Sequence, residues 1–256
     1  MKTSSKPPQL GAKVAIITGA GRGIGAALAR GFAREGAAVV VNYSASAEAA
    51  AAVVQSIETA GGRAVACQAD IGDPDQHDTL IDRALSAFGR VDILVNNAAI
   101  EKRIPAIDAA AADWDHIVDV DLKGPFFLAQ KAARVMRFQG GGAILNISSV
   151  HDEQAHRNNS IYTIAKGGMR MMTRNLALEW ACYGIRVNSL SPGAILTDMN
   201  REVLADEAFK AKVLSMIPLG RIGAPEDLVG AAVLLVSDAG SYITGSTLYV
   251  DGGLLL

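Results

Sequence analysis

Cysteine is scarce in this chain. Its two residues, Cys67 and Cys182, belong to no CxxC pair and have no histidine at ligand spacing, which excludes a disulfide framework and a zinc site as readings. Both are expected to be small buried hydrophobes in a protein of a reducing compartment. Charge of one sign is also missing, with 24 basic residues against 26 acidic and no block of like charge, so there is no footprint for a nucleic acid. Nowhere do about eighteen apolar residues run uninterrupted, and the opening MKTSSKPPQL lacks the apolar core of a signal peptide. These absences lead to the expectation of a cytoplasmic protein with no membrane partner.

What is present is enough apolar material for a large core, since half of the 256 residues are hydrophobic. One domain over residues 1–256 is expected, with 1–10 loose. Short β-branched runs at 13–18, 37–42, 64–67, 92–96, 142–147, 185–190 and 247–250 alternate with segments of helical period at 23–36, 46–60, 74–88, 113–138, 161–182 and 225–237. Near-continuous apolar strands alternating with helices predict an α/β fold, a doubly wound parallel sheet of seven strands covered by helices on both faces. Gly36, Gly61 and Gly184 stand where helices close. The stretch 200–217 follows a Pro-Gly turn and breaks the alternation, so it is expected to form a helical flap over a site.

The first strand runs into Thr18-Gly19-Ala20-Gly21-Arg22-Gly23-Ile24-Gly25, which places backbone amides and a helix N-terminus where a pyrophosphate can sit. The plainer reading is a tight strand-to-helix turn. At the end of the second strand, where a carboxylate would grip the ribose hydroxyl of NAD, the chain has Asn42-Tyr43-Ser44. With no repelling carboxylate there, and Arg22 able to meet a 2′-phosphate, NADP(H) is expected ahead of NAD(H). Arg22 read plainly is a solvated arginine.

Tyr162 and Lys166 lie one turn apart on one face of a predicted helix. An ammonium about 4 Å from the phenol, at an effective dielectric of about 20, favours the phenolate by roughly 4 kcal/mol. That is about three pKa units. Burial works in the opposite direction. If the cation wins, Tyr162 becomes an acid/base suited to neutral pH.

These motifs occur in order with Asp70-Ile71 after the third strand, Asn96-Asn97-Ala98-Ala99 after the fourth, Ser149 after the fifth, Pro192-Gly193 with Thr197, and a closing Asp251-Gly252-Gly253. Together they resemble the classical short-chain dehydrogenase/reductase family, from about residue 10 to 253. The resemblance implies a Rossmann-type fold and hydride transfer between a nicotinamide cofactor and an alcohol or carbonyl, with no metal. It implies that Ser149 holds the substrate oxygen, that Tyr162 is the acid/base, and that Lys166 binds the nicotinamide ribose and tunes Tyr162. It also implies that Gly19, Gly21, Gly23 and Ile24 line the pyrophosphate, Asp70 and Ile71 flank the adenine, Asn97 and Ala98 line the cofactor, and Pro192, Gly193, Ile195 and Thr197 lie at the nicotinamide. A homotetramer is implied as well.

The chain departs from that pattern at Asp121, in Val120-Asp121-Leu122-Lys123-Gly124, where the family usually has an asparagine of the proton relay. Its charge would raise the pKa of Lys166 or be partly neutralised itself; read plainly, it caps local structure. Ala99 replaces a usual glycine. Within the family, the segments around Glu101, His151, Lys166 and 216–220 are most similar to bacterial glucose 1-dehydrogenases, which makes Glu101 and His151 candidates for binding sugar hydroxyls, or else plain loop residues. Leu196, where a polar residue is usual, speaks against a sugar. A 3-oxoacyl carrier-protein reductase or general ketone reductase is the alternative, with Arg103, Arg157 and Arg201 as a basic rim for an acidic carrier. A nucleotide-sensing scaffold is the reading without catalysis.

Overall fold

The computed structural model describes residues 8–198 and 205–256. Its strands are β1 (Val14–Ile17), β2 (Ala38–Tyr43), β3 (Arg63–Gln68), β4 (Ile93–Asn96), β5 (Gly142–Ile147), β6 (Ile185–Pro192) and β7 (Thr247–Val250). All pair in parallel in the order β3-β2-β1-β4-β5-β6-β7. The strand order reverses between β1 and β4, and a crevice outside the carboxyl ends at such a switch point is where ligands bind. The helices are α1 (Gly23–Arg34), α2 (Ala47–Thr59), α3 (His77–Phe88), α4 (Ala111–Val118), α5 (Gly124–Met136), α6 (Ser160–Trp180), α7 (Glu207–Ser215) and α8 (Val229–Val236).

Successive strand residues feed two cores. Ala15, Ile17, Val39, Val41, Ile93, Val95 and Leu145 meet α1, α2 and α8 on one face. Val14, Ile16, Ala38, Val40, Leu94 and Ile144 meet α3, α5 and α6 on the other. The near-continuous apolar strands are thus explained by burial on both sides.

Three expectations need correction. The segment 113–138 is not one helix: Asp119–Lys123 forms a turn of π-helix between α4 and α5. Gly124 closes that turn against the carbonyl of Ile71, where an added Cβ would lie 2.0 Å from the oxygen. Cys182 is exposed, although Cys67 is buried. Leu10, within the segment expected to be loose, is fully buried and donates its N–H to Glu35 O, while residues 1–7 lie outside the described residues. Within 200–217 a helix does form, α7, whose Val213 packs with Ile217 against Ala194, Ile222 and Leu254; Asn200 to Leu204 lie outside the described residues.

Candidate active site

The glycine turn after β1 is held from two sides. Asn42 Oδ1 accepts the Gly19 N–H at 3.0 Å, while Asn97 Nδ2 donates to Thr18 O at 2.8 Å. Asn42 also donates to Ala69 O, so its buried side chain is spent on framework and faces away from solvent. Gly19 and Gly23 have positive φ, and a Cβ on Gly25 would lie 2.5 Å from Gly19 O. No side chain caps the start of α1. The first-turn amides are therefore free to face an anion, which is the fit a pyrophosphate needs. Arg22 is exposed beside them, Gly21 is half-buried, and Tyr43 and Ser44 follow at the end of β2.

The neighbouring segments complete the same edge. Asp70 is exposed and accepts the Gly72 N–H, and buried Ile71 offers its carbonyl to His77 Nε2 at 2.9 Å. Thr18 Oγ1 takes the N–H groups of Asn97 and Ala98, which brings the end of β4 against the turn. Beyond β6, Pro192 is buried, Gly193 packs on Asp251, Ile195 bridges to Gly223, and Thr197 stands over Gly23.

Ser149, Tyr162 and Lys166 come together at the carboxyl ends of β5 and β6. Helix α6 is pinned to the sheet by Asn96, Asn146 and Thr173, linked by two buried hydrogen bonds of 2.9 Å. Its first turn is pinned by Asn159, which donates to Glu101 at 2.8 Å. Lys166 Nζ donates to Ile147 O at 3.2 Å and lies 3.5 Å from Asp121 Oδ2, with both side chains fully enclosed. The second Asp121 oxygen accepts the Ile100 N–H at 2.9 Å. Burial pushes the Asp121 carboxyl up to about 6, against the pull of Lys166.

Of the two opposing influences on Tyr162, burial is the larger in the chain alone. Burial raises its phenol well above the ordinary tyrosine value, and Asp121, Glu101 and Asp152 add to the rise, while a hydrogen bond with Ser149 pulls the other way. Lys166 Nζ is 5.3 Å from the ring centre and already paired with Asp121. At neutral pH the group is a phenol, poised to donate a proton.

His151 stands edge-on to Tyr162, ring centres 6.2 Å apart. Its Nδ1 meets Gln154 O at 3.3 Å. A carbonyl only accepts, so Nδ1 carries the hydrogen and Nε2 is left as an acceptor. Burial lowers the His151 pKa and keeps the ring neutral. Glu101 binds Arg103 as well as Asn159, and the Arg103 guanidinium lies 5.9 Å from the Phe209 ring of α7. The flap helix thus meets the Glu101 loop. Of the basic residues considered for a rim, Arg103 pairs with Glu101 and Arg157 is exposed, while Arg201 lies outside the described residues.

A family model described as enoyl-(acyl carrier protein) reductase matches residues 19–255. The chain is 44% identical over 245 residues to 3beta-hydroxysteroid dehydrogenase 1 of Eggerthella lenta, covering 95% of this chain and 94% of that one. The chain belongs to the short-chain dehydrogenase/reductase family. Glucose 1-dehydrogenase 2 of Bacillus subtilis is 40% identical over 247 residues, covering 95% of each. The crystal structure of a gluconate 5-dehydrogenase from Burkholderia cenocepacia, in complex with NADP and tartrate, superposes with a TM-score of 0.92 at 40% identity, covering 97% of each chain. This short-chain dehydrogenase/reductase is an NAD(P)-dependent oxidoreductase of alcohols and carbonyls, which sets aside the nucleotide-sensing scaffold.

Sequence reading missed Asn146, Asn159 and Asp152. A polar residue inside the apolar run of β5 was a signal for Asn146. The other two had none, because their partners are distant in sequence.

Proposed function

We propose that this chain interconverts a hydroxyl-flanked secondary alcohol, of the sugar type acted on by glucose 1-dehydrogenases, and its carbonyl, with NADP(H) preferred over NAD(H). Ser149 holds the substrate oxygen, Tyr162 moves the proton at its phenol oxygen, Lys166 binds the nicotinamide ribose, and Asp121 sets the charge around that lysine. Gly19, Gly21, Gly23 and Ile24 hold the pyrophosphate, with Arg22, Tyr43 and Ser44 at the adenosine ribose. Asp70 and Ile71 flank the adenine; Asn97, Ala98, Pro192, Gly193, Ile195 and Thr197 line the rest. Asn42 serves this site by holding the turn. The bound nicotinamide supplies the hydride acceptor or donor.

The observation that carries this reading is the enclosed Tyr162 phenol, hydrogen-bonded with Ser149, with the Glu101 carboxylate and the neutral His151 ring, both able to accept hydrogen bonds, in its surroundings. Acceptors at a pocket mouth suit hydroxyl donors. An acidic carrier finds no such welcome with Arg103 neutralised, which counts against the 3-oxoacyl carrier-protein reductase alternative. The NADP-bound relative supports the cofactor preference. Oxidation or reduction of D-glucose, D-gluconate, a 3β-hydroxysteroid, a simple ketone and a 3-oxoacyl thioester, each with both cofactors, tests it. D-glucose is expected to exceed the steroid and thioester by at least about tenfold in kcat/KM. A thioester or steroid as the fastest substrate contradicts the sugar reading. Arg22→Ala is expected to lower the NADP/NAD preference by about tenfold; an unchanged ratio removes Arg22 from the site.

A further inference from the structure

The three-residue turn Val150–Asp152 that follows Ser149 ends in a carboxylate which the proposed chemistry does not use. Ser149 Oγ accepts the His151 N–H, and Ser149 O accepts the Asp152 N–H at 2.9 Å, so the turn and the serine move as one unit. Asp152 is buried. Its Oδ2 accepts the hydroxyl of fully buried Ser191 at 2.6 Å, and its Oδ1 accepts the Tyr249 hydroxyl at 2.9 Å. Ser191 is on β6, directly before Pro192-Gly193, and Tyr249 is on β7, two residues before the Asp251 that packs on Gly193. From α6, Arg170 pairs with neighbouring Glu153 and reaches Asp152 O. We propose that Asp152 is a positioning residue: it ties the Ser149 turn to β6 and β7 and holds a fixed negative charge near the Tyr162 phenol. A buried carboxylate that accepts two hydroxyl protons is held firmly, because losing either donor leaves an enclosed oxygen unpaired.

The inference rests on the roles given above to Ser149 and Tyr162. The charged groups around Tyr162 are Asp121 from the π-turn, Glu101 from the loop after β4, Asp152 itself and Lys166 on α6, with neutral His151 beside it. Arg170 and Arg174 act on Tyr249 from α6. The test compares Asp152→Asn, Tyr249→Phe and Tyr162→Phe with the parent enzyme, using the fastest alcohol of the panel above. It reads kcat, KM, the pH profile of oxidation, NADPH dissociation constant and Tm. Asp152→Asn is expected to lower kcat about tenfold with the NADPH constant within about twofold, and to move the rising limb of oxidation to lower pH because an anion near the phenol is gone. Tyr249→Phe is expected to lower kcat about threefold without moving the limb downward. An Asp152→Asn enzyme with parental kcat and profile, or one whose only change is in Tm, overturns the proposal. If Asp152→Asn does not fold, parental kcat in Tyr249→Phe overturns it. Full turnover by Tyr162→Phe overturns the reading of the site and this inference together, whereas an inactive Tyr162→Phe beside a normal Asp152→Asn overturns the inference alone.

Discussion

Tyr162 is under opposed demands. Burial and three carboxylates hold its proton on, so the phenol that donates in carbonyl reduction is the resting form, and the phenolate required for alcohol oxidation forms only as pH rises. Oxidation is therefore expected to climb through the alkaline range, while reduction falls there. Asp121 is ionised above about 6 and adds to the rise of the phenol. Asp121→Asn should move the oxidation limb to lower pH by about one unit, measured as kcat/KM against pH; an overlay with the parent contradicts a role for Asp121. The same carboxyl has a stability signature. Its folded value of about 6 lies above its ordinary value, so it favours the fold when protonated, and that contribution is lost as pH rises through about 6. The Tm of Asp121→Asn relative to the parent should accordingly be higher at pH 8 than at pH 4.

At the level of elements, the glycine turn and the start of α1 act as one part. A Cβ on Gly25 meets Gly19 O, Asn97 Nδ2 and Ala20 Cα, all within 2.9 Å, so α1 must shift from the turn to admit it. Gly25→Ala should weaken NADPH binding more than about tenfold and lower Tm. Gly230 on α8 has nothing within 4 Å of such a Cβ. Gly230→Ala should raise stability by about 0.5–1 kcal/mol and leave NADPH binding unchanged. Equal dissociation constants for the two variants would contradict the account of the turn. The seven strands were legible in the sequence because burial on both faces writes itself as short apolar runs, and β5 and β7 fall on the expected residues. The break at Asp119–Lys123 was not, since the residues flanking the π-turn keep right-handed helical backbone, and the Gly124-Pro125 pair that follows it was read as part of one continuous helix. That Ser149, Tyr162 and Lys166 lie together was legible through motif and helical spacing. Their electrostatics were not, because the desolvation of Tyr162 and the pairing of Lys166 with Asp121 depend on how β5, α6 and the π-turn close around them.

Across the whole molecule, α5 and α6 leave apolar side chains uncovered: Phe126 and Phe127 stack edge to face at 5.3 Å, and Met171 and Leu178 are exposed nearby in the chain order of α6. We propose that the enzyme is a homotetramer that covers them; no helix among the described residues is long and apolar enough to cross a membrane. Light scattering after size exclusion should give four times the mass of one chain, and Phe126→Glu with Met171→Glu should lower it; a monomeric parent contradicts the assembly. Leu254 takes a different place, packed with Val213 and Ile217 under α7 within the same chain. The central claim concerns proton transfer at one phenol oxygen. Tyr162→Phe keeps the ring that fills the site and removes only that oxygen. Turnover of the best substrate is expected to fall at least about a hundredfold, with NADPH still bound at close to the parental dissociation constant. Turnover equal to the parent's, at unchanged cofactor affinity, would contradict it.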